Sequence, residues 1–166
     1  MGRKICSLLF LLAFMALSTF AQQKPDFSGT WKLNVAKSDF GALPGPQSRT
    51  DVITHKDPSL SDSVTVEGAE GKQQYVAHYT TDDKEATNKI GTRDVRTSVK
   101  WAGNNLSMIS KFLYGDADVV GDSTWALSAD GKVLTWTIHF ASSIGETDQK
   151  MIFEKQESTP PAKATP

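Results

Sequence analysis

A chain of 166 residues with 18 basic and 19 acidic side chains, net charge −1, carries no cationic stripe on which nucleic acid or an anionic membrane would settle. Its single cysteine, Cys6, lies near the start, which excludes a disulfide framework, a cysteine-zinc site and thiol chemistry in everything after it. At 39% hydrophobic residues, the length suits one domain with one core.

Residues 1–21 read as a leader. Gly2-Arg3-Lys4 is a short basic start, 5–19 is an apolar run too short to span a bilayer comfortably, and Thr19-Phe20-Ala21 offers small residues for a signal peptidase. Cys6 sits at the wrong end of that run for lipid attachment. Removing 1–21 from 166 leaves 145 residues with 16 basic and 19 acidic side chains, a net of −3. A secreted or periplasmic monomer, without stable membrane insertion, is the expectation.

From 27 to 155 the chain alternates apolar and polar residues in short stretches punctuated by Gly, Asp and Asn, the rhythm of antiparallel strands with one dry face. The first covers 27–34, with Trp31 and Leu33 in phase. A Gly- and Pro-rich loop at 41–46 cannot be helical and is expected to cross an open end of the fold. Over 49–56, Val52 and Ile53 are out of phase and leave the buried face undecided. Strand 63–67 buries Val64 and Val66, and 73–81 aligns Tyr75, Ala77 and Tyr79. The polar stretch 81–88 is a turn or a weak edge strand. Strand 92–102 aligns Val95, Val99 and Trp101, and Gly103-Asn104-Asn105 turns it into 106–114, with Leu106, Met108, Phe112 and Tyr114. Strand 119–127 aligns Val119, Trp125 and Leu127, and Asp130-Gly131 is expected to form a tight type I′ turn. Strand 132–141 aligns Leu134, Trp136, Ile138 and Phe140, and 147–155 aligns Met151 and Phe153. Residues 156–166, with three prolines and little apolar bulk, read as a disordered tail.

Nine or ten strands without an amphipathic helix imply an all-β fold. A meander of that length closes on itself rather than leave sticky edges, so residues 22–155 are expected to form an antiparallel up-and-down β-barrel.

The segment Phe27-Ser28-Gly29-Thr30-Trp31-Lys32-Leu33 resembles the opening strand of the calycin group, which holds the lipocalins and fatty-acid-binding proteins. Phe153-Glu154-Lys155 is similar to the aromatic-Glu-Lys ending of the fatty-acid-binding branch. More closely, this start, together with Lys37-Ser38-Asp39-Phe40-Gly41 and His55-Lys56-Asp57-Pro58, resembles small exported bacterial proteins described as lipocalin-like. The resemblance implies a lipocalin-like barrel, with Gly29 and Trp31 as the structural signature, Trp31 as the plug of one end, and a lumen for a hydrophobic ligand. It also shows two departures. The span after the first strand is too short and proline-broken for the helical lid of fatty-acid-binding proteins. Met151 and Phe153 stand where that branch grips a lipid carboxylate with Arg and Tyr.

The shared phase of the aromatic residues nominates Tyr75, Tyr79, Trp101, Met108, Trp125, Trp136, Met151 and Phe153 as candidate pocket lining. Such a wall holds an apolar guest by burial, at about 25 cal/mol per Å². The same residues would equally fill a solid core, in which case the chain would be a protein-interaction or inhibitor module acting through its loops. His78 and His139 fall opposite the aromatic faces, so neither haem nor another cofactor is expected, and no metal site. No serine lies in a nucleophile elbow, and Asp82-Asp83 and Asp116/Asp118 sit among turn residues, so catalysis is not expected. Asn105-Leu106-Ser107 fits a glycosylation acceptor at a hairpin tip.

Overall fold

The computed structural model describes residues 24–69 and 71–157. The leader assigned to 1–21 lies outside the described residues, as does nearly all of the tail. Among the described residues no helix is long and apolar enough to cross a membrane.

Ten strands follow one another: β1 Gly29–Leu33, β2 Ser48–Lys56, β3 Ser59–Gly68, β4 Gly71–Thr80, β5 Asp82–Ile90, β6 Arg93–Ala102, β7 Asn105–Tyr114, β8 Ala117–Leu127, β9 Val133–Ser142 and β10 Gly145–Lys155. A 3-10 turn, Val35–Lys37, follows β1. All neighbours are antiparallel, in the order β4-β3-β2-β1-β10-β9-β8-β7-β6-β5. The first strand pairs with the last, Trp31 opposite Lys155 and Leu33 opposite Phe153, so the meander closes round on its own beginning.

Three strand readings are extended or settled. β3 begins four residues before the expected 63, because Leu60 and Asp62 point inward in register with Val64. The polar stretch after Thr81 is a strand, β5, whose inward Asn88 is buried. In β2, Ile53 is buried at 2% exposure and Val52 faces outward at 46%. The tight turn expected at Asp130-Gly131 is instead a five-residue connection, 128–132. There Gly131 N donates to Ser128 O (2.8 Å), and the Ser128 hydroxyl donates to Asp130 while accepting from Val133 N, so side-chain bonding widens the turn.

One end of the barrel is packed solid. Phe27 and Trp31 are fully buried, and the Trp31 indole N–H donates to the Phe27 carbonyl (2.9 Å). Phe27 meets His55, Trp101 and Trp125 at ring separations of 5.8, 6.1 and 6.1 Å. Gly29 sits where a Cβ would come within 2.6 Å of Lys155 Cε; its bareness lets that side chain lie across the strand and set its ammonium 5.1 Å from the Trp31 ring centre. That contact accounts for the Gly-x-Trp spacing.

The ladder is interrupted between β4 and β5, the two ends of the sheet order. A side chain spans the break. Asn88 Oδ1 accepts from His78 N (2.8 Å), and its Nδ2 donates to His78 O (3.0 Å), so the carboxamide satisfies a donor and an acceptor that a neighbouring strand would otherwise pair. Asn88→Ala leaves both groups without this partner and is expected to cost about 1–3 kcal/mol in urea unfolding. Amide exchange at His78 should accelerate, while exchange in β8 and β9 keeps pace only with the lower global stability.

Candidate functional site

The curl of the sheet turns alternate residues of every strand into a lumen, and part of that lumen is empty. A cavity of about 180 Å³ is walled by Tyr75 and Tyr79 of β4, Met108 of β7, Trp125 of β8 and Trp136 of β9, with Thr97, Ser110 and Ser123 as small polar members. Arg49 and Asp62 form its charged side, and exposed Arg93 of β6 stands at its rim. Gly121 helps to make the space, since a Cβ there would come within 2.9 Å of the Phe140 ring.

Five of the eight nominated residues, Tyr75, Tyr79, Met108, Trp125 and Trp136, stand on the cavity wall. The other three lie elsewhere. Met151 faces the mouth, where a cleft of about 440 Å³ runs beneath the loop after β1. Phe153 is fully buried, its ring 5.6 Å from the Arg49 guanidinium. Trp101 belongs to the packed end, its indole N–H donating to Asp57 Oδ1 (2.7 Å). They share phase with the lining, but their height along the barrel differs. Gly29 and Trp31 are parts of the plug.

The Gly- and Pro-rich loop lies across the mouth, as the sequence suggested. Phe40, Leu43, Pro44, Gly45 and Pro46 line the cleft with Trp136, Phe140 and Met151. Asp39 and Lys150 exchange two backbone hydrogen bonds of 2.8 Å, and Gln149 Nε2 donates to Phe40 O (3.1 Å), so the loop is tied to β10. Gly45 lies against the Phe40 ring, where a Cβ would come within 2.3 Å.

Sequence reasoning missed the charges inside. Arg49 grips Asp51 with two hydrogen bonds, Nε to Oδ1 at 2.8 Å and Nη2 to Oδ2 at 2.9 Å, a bidentate fork. The guanidinium also stacks 4.9 Å from the centre of the Trp136 ring. Asp51 is 1% exposed and Asp62 3%. Asp62 Oδ2 lies 4.0 Å from Arg49 Nη2, and its Oδ1, buried, has no hydrogen-bond partner among the described residues.

Burial, and then the neighbouring Asp51 carboxylate, push the Asp62 carboxyl up to about 7, with Arg49 only partly opposing them. Burial alone would loosen the proton of Arg49, but Asp51 and the other acidic neighbours outweigh it and hold the guanidinium charged. Burial raises the Tyr75 and Tyr79 phenols above their ordinary value, which keeps both neutral.

The remaining titratable groups sit apart. His55, buried in the packed end, is held below the ordinary imidazole value by desolvation, and its Nδ1 accepts from Phe27 N (3.3 Å). His139 faces outward and bonds to Asp148 (2.8 Å), and His78 is exposed. Among the described residues no three His, Cys, Asp or Glu side chains converge as a metal site.

This geometry defines a calycin-like β-barrel, a nearly closed antiparallel meander round a partly open lumen. Solved structures share it. A secretory abundant heat soluble protein from Ramazzottius varieornatus superposes with a TM-score of 0.57 at 12% identity, covering 80% of this chain and 98% of its own. Secretory abundant heat soluble protein 4 of the same organism gives 0.53 at 15%, covering 82% and 100%. A zebrafish ileal bile-acid-binding protein complexed with cholic acid gives 0.51 at 13%, covering 78% and 98%. At these identities the likeness is one of fold. No family model and no curated protein matches the sequence.

The elevated Asp62 carboxyl predicts a pH signature. With its folded pKa near 7 and an ordinary value of 3.8, Asp62 contributes stability that is complete below 3.8 and lost as pH rises through about 7. Asp62→Asn removes that loss. The variant should be more stable than the wild type by on the order of 2–4 kcal/mol at about pH 8, and the gain should shrink steadily towards about pH 5 in paired urea titrations.

Proposed function

We propose that this protein is an exported binding protein for a small hydrophobic ligand held in the barrel lumen. The observation that carries the reading is the cavity of about 180 Å³, left open among Tyr75, Tyr79, Met108, Trp125 and Trp136 while the opposite end is packed solid. An apolar cavity of roughly 150 Å³ accommodates a benzene-sized guest, so this one suits a molecule of one or two rings rather than a long acyl chain. Met151 and Phe153 in place of the carboxylate grip of fatty-acid-binding proteins point the same way. The zebrafish protein of like fold was solved with cholic acid, which supports a lumen as the place for a guest. A protein-interaction module with a filled core, the alternative reading, has no need of such a space.

Ethylbenzene and naphthalene are suitable first probes, titrated by calorimetry. Saturable binding is expected, and Ser123→Leu, which puts bulk into the lumen at a buried wall position, should weaken it at least about tenfold. No saturable heat with either probe, together with a clean mass for the purified protein under native conditions, would remove the reading.

Export rests on Arg3-Lys4, the apolar run at 5–19 and the small residues before Gln22. Expressed as the full chain in a bacterial host, the protein should reach the periplasm or medium with Gln22 as its first residue by intact mass. A full-length mass in the cytosol would contradict it.

A further inference from the structure

The buried charges narrow the chemistry of the guest. Arg49 is satisfied by Asp51 through both prongs of its fork, so neither its charge nor its best donors are free for a ligand carboxylate. Asp62 is different. It lines the cavity, is 3% exposed, stands 4.0 Å from Arg49 at one oxygen, and offers the other, Oδ1, to no partner among the described residues. Counted together, Arg49, Asp51 and Asp62 carry one positive and two negative charges when all are ionised. Beside the indole N–H groups of Trp125 and Trp136, which also lack a hydrogen-bond partner among the described residues, the lumen holds one buried acceptor and, when Asp62 is ionised, one uncompensated negative charge, which costs free energy until a donor with a positive charge arrives.

We infer that the lumen selects a small ring-bearing amine, its ammonium group donating to Asp62 Oδ1 and its apolar body lying against the aromatic wall. The inference rests on the ligand-binding reading above and names the class of guest. Two features reinforce it. Tyr75, Tyr79, Trp125 and Trp136 present aromatic rings round the cavity, and such surfaces attract organic cations. A carboxylate, by contrast, would enter beside Asp51 and Asp62 and meet repulsion there. Among the described residues the other cation on the wall is Arg93, at the exposed rim, where water screens it.

Binding should depend on pH through Asp62. The charged and titratable groups facing it are Arg49 and Asp51 from β2 and Tyr75 and Tyr79 from β4. Arg49 stays charged and both phenols stay neutral through the accessible range, which leaves the Asp62 proton, near pH 7, to set the profile. The ammonium of an alkylamine remains protonated throughout. Affinity for the amine should thus rise with pH, by roughly 30-fold between about pH 5.5 and about pH 8 if only ionised Asp62 binds it.

The experiment uses four single-ring probes of similar size: 2-phenylethylamine, 2-phenylethanol, phenylacetate and ethylbenzene, titrated calorimetrically into the protein at about pH 8 and about pH 5.5. The amine should bind at least about tenfold more tightly than the alcohol at the higher pH and the carboxylate weakest. Asp62→Asn should abolish the preference for the amine over the alcohol and flatten the pH dependence of amine binding. Equal affinity for amine and alcohol, a carboxylate that binds best, or an amine preference that survives in Asp62→Asn or is flat with pH overturns the inference, while ethylbenzene binding keeps the ligand-binding reading intact. If none of the four binds, both fail together.

Discussion

A strand sends successive side chains to opposite faces, and a sheet that curls until its first strand meets its last leaves one of those faces without water. Every structural feature of this chain is a response to that constraint. At one end the dry face is satisfied by bulk: the Phe27 ring meets those of Trp101 and Trp125, Trp31 is fully buried beside them, and the indole donors of Trp31 and Trp101 find acceptors in the Phe27 carbonyl and Asp57. Where β4 and β5 part company, the exposed peptide groups of His78 are taken up by the Asn88 carboxamide. Further along, the dry face is neither filled nor wholly apolar, and there the chain carries charge.

Charge inside a barrel has to be balanced locally, because no solvent shell does it. Arg49 and Asp51 meet this demand on a single strand: two residues apart, they share a face, and their side chains close a fork beneath the Trp136 and Phe153 rings. Asp62, on the next strand, is the remainder. Its Oδ1 has no partner among the described residues, and its proton affinity is raised by burial and by Asp51. An arginine within a calycin-like lumen is superficially a carboxylate receptor, yet here it comes from β2, not from the last strand, and its donors already face an aspartate. The same residue type at another place in the barrel has a different chemistry because its neighbours differ.

Beside this interior, the segment after β1 crosses the mouth and lines a separate cleft. It is bound to β10 through Asp39, Phe40 and Gln149, with Phe40 folded over Gly45, so it covers the opening as a tethered strap. Backbone and side-chain polar contacts fasten it, while Leu43 at its crest is 46% exposed and contributes little burial.

What the sequence determined alone was whatever follows from period and local backbone chemistry. Alternation through 73–81, 92–102, 106–114 and 132–141 specified strands and their apolar faces, and Gly103 marked a hairpin tip. The resemblance carried by Gly29 and Trp31, rather than the periodicity, implied a plug at one end, and the Lys155 contact with Trp31 came only with the structure. The Asp130-Gly131 turn came out wider because Ser128 competes for its peptide groups. The charged side of the lumen was not legible: Arg49, Asp51, Asp62 and Asn88 are polar residues on inward faces, and polar residues in a strand pattern read as solvent-facing. They hid the start of β3, blurred the phase of β2 and left β5 undecided between a turn and a weak edge strand. Nor does phase tell how far along the barrel a side chain sits, which is why Trp101, Met151 and Phe153 share a face with the cavity wall without forming it. Only the curling of the sheet, bringing strands distant in sequence to one height around one axis, decided which aromatic rings border empty space and which carboxylate oxygen is left there without a hydrogen-bond partner among the described residues.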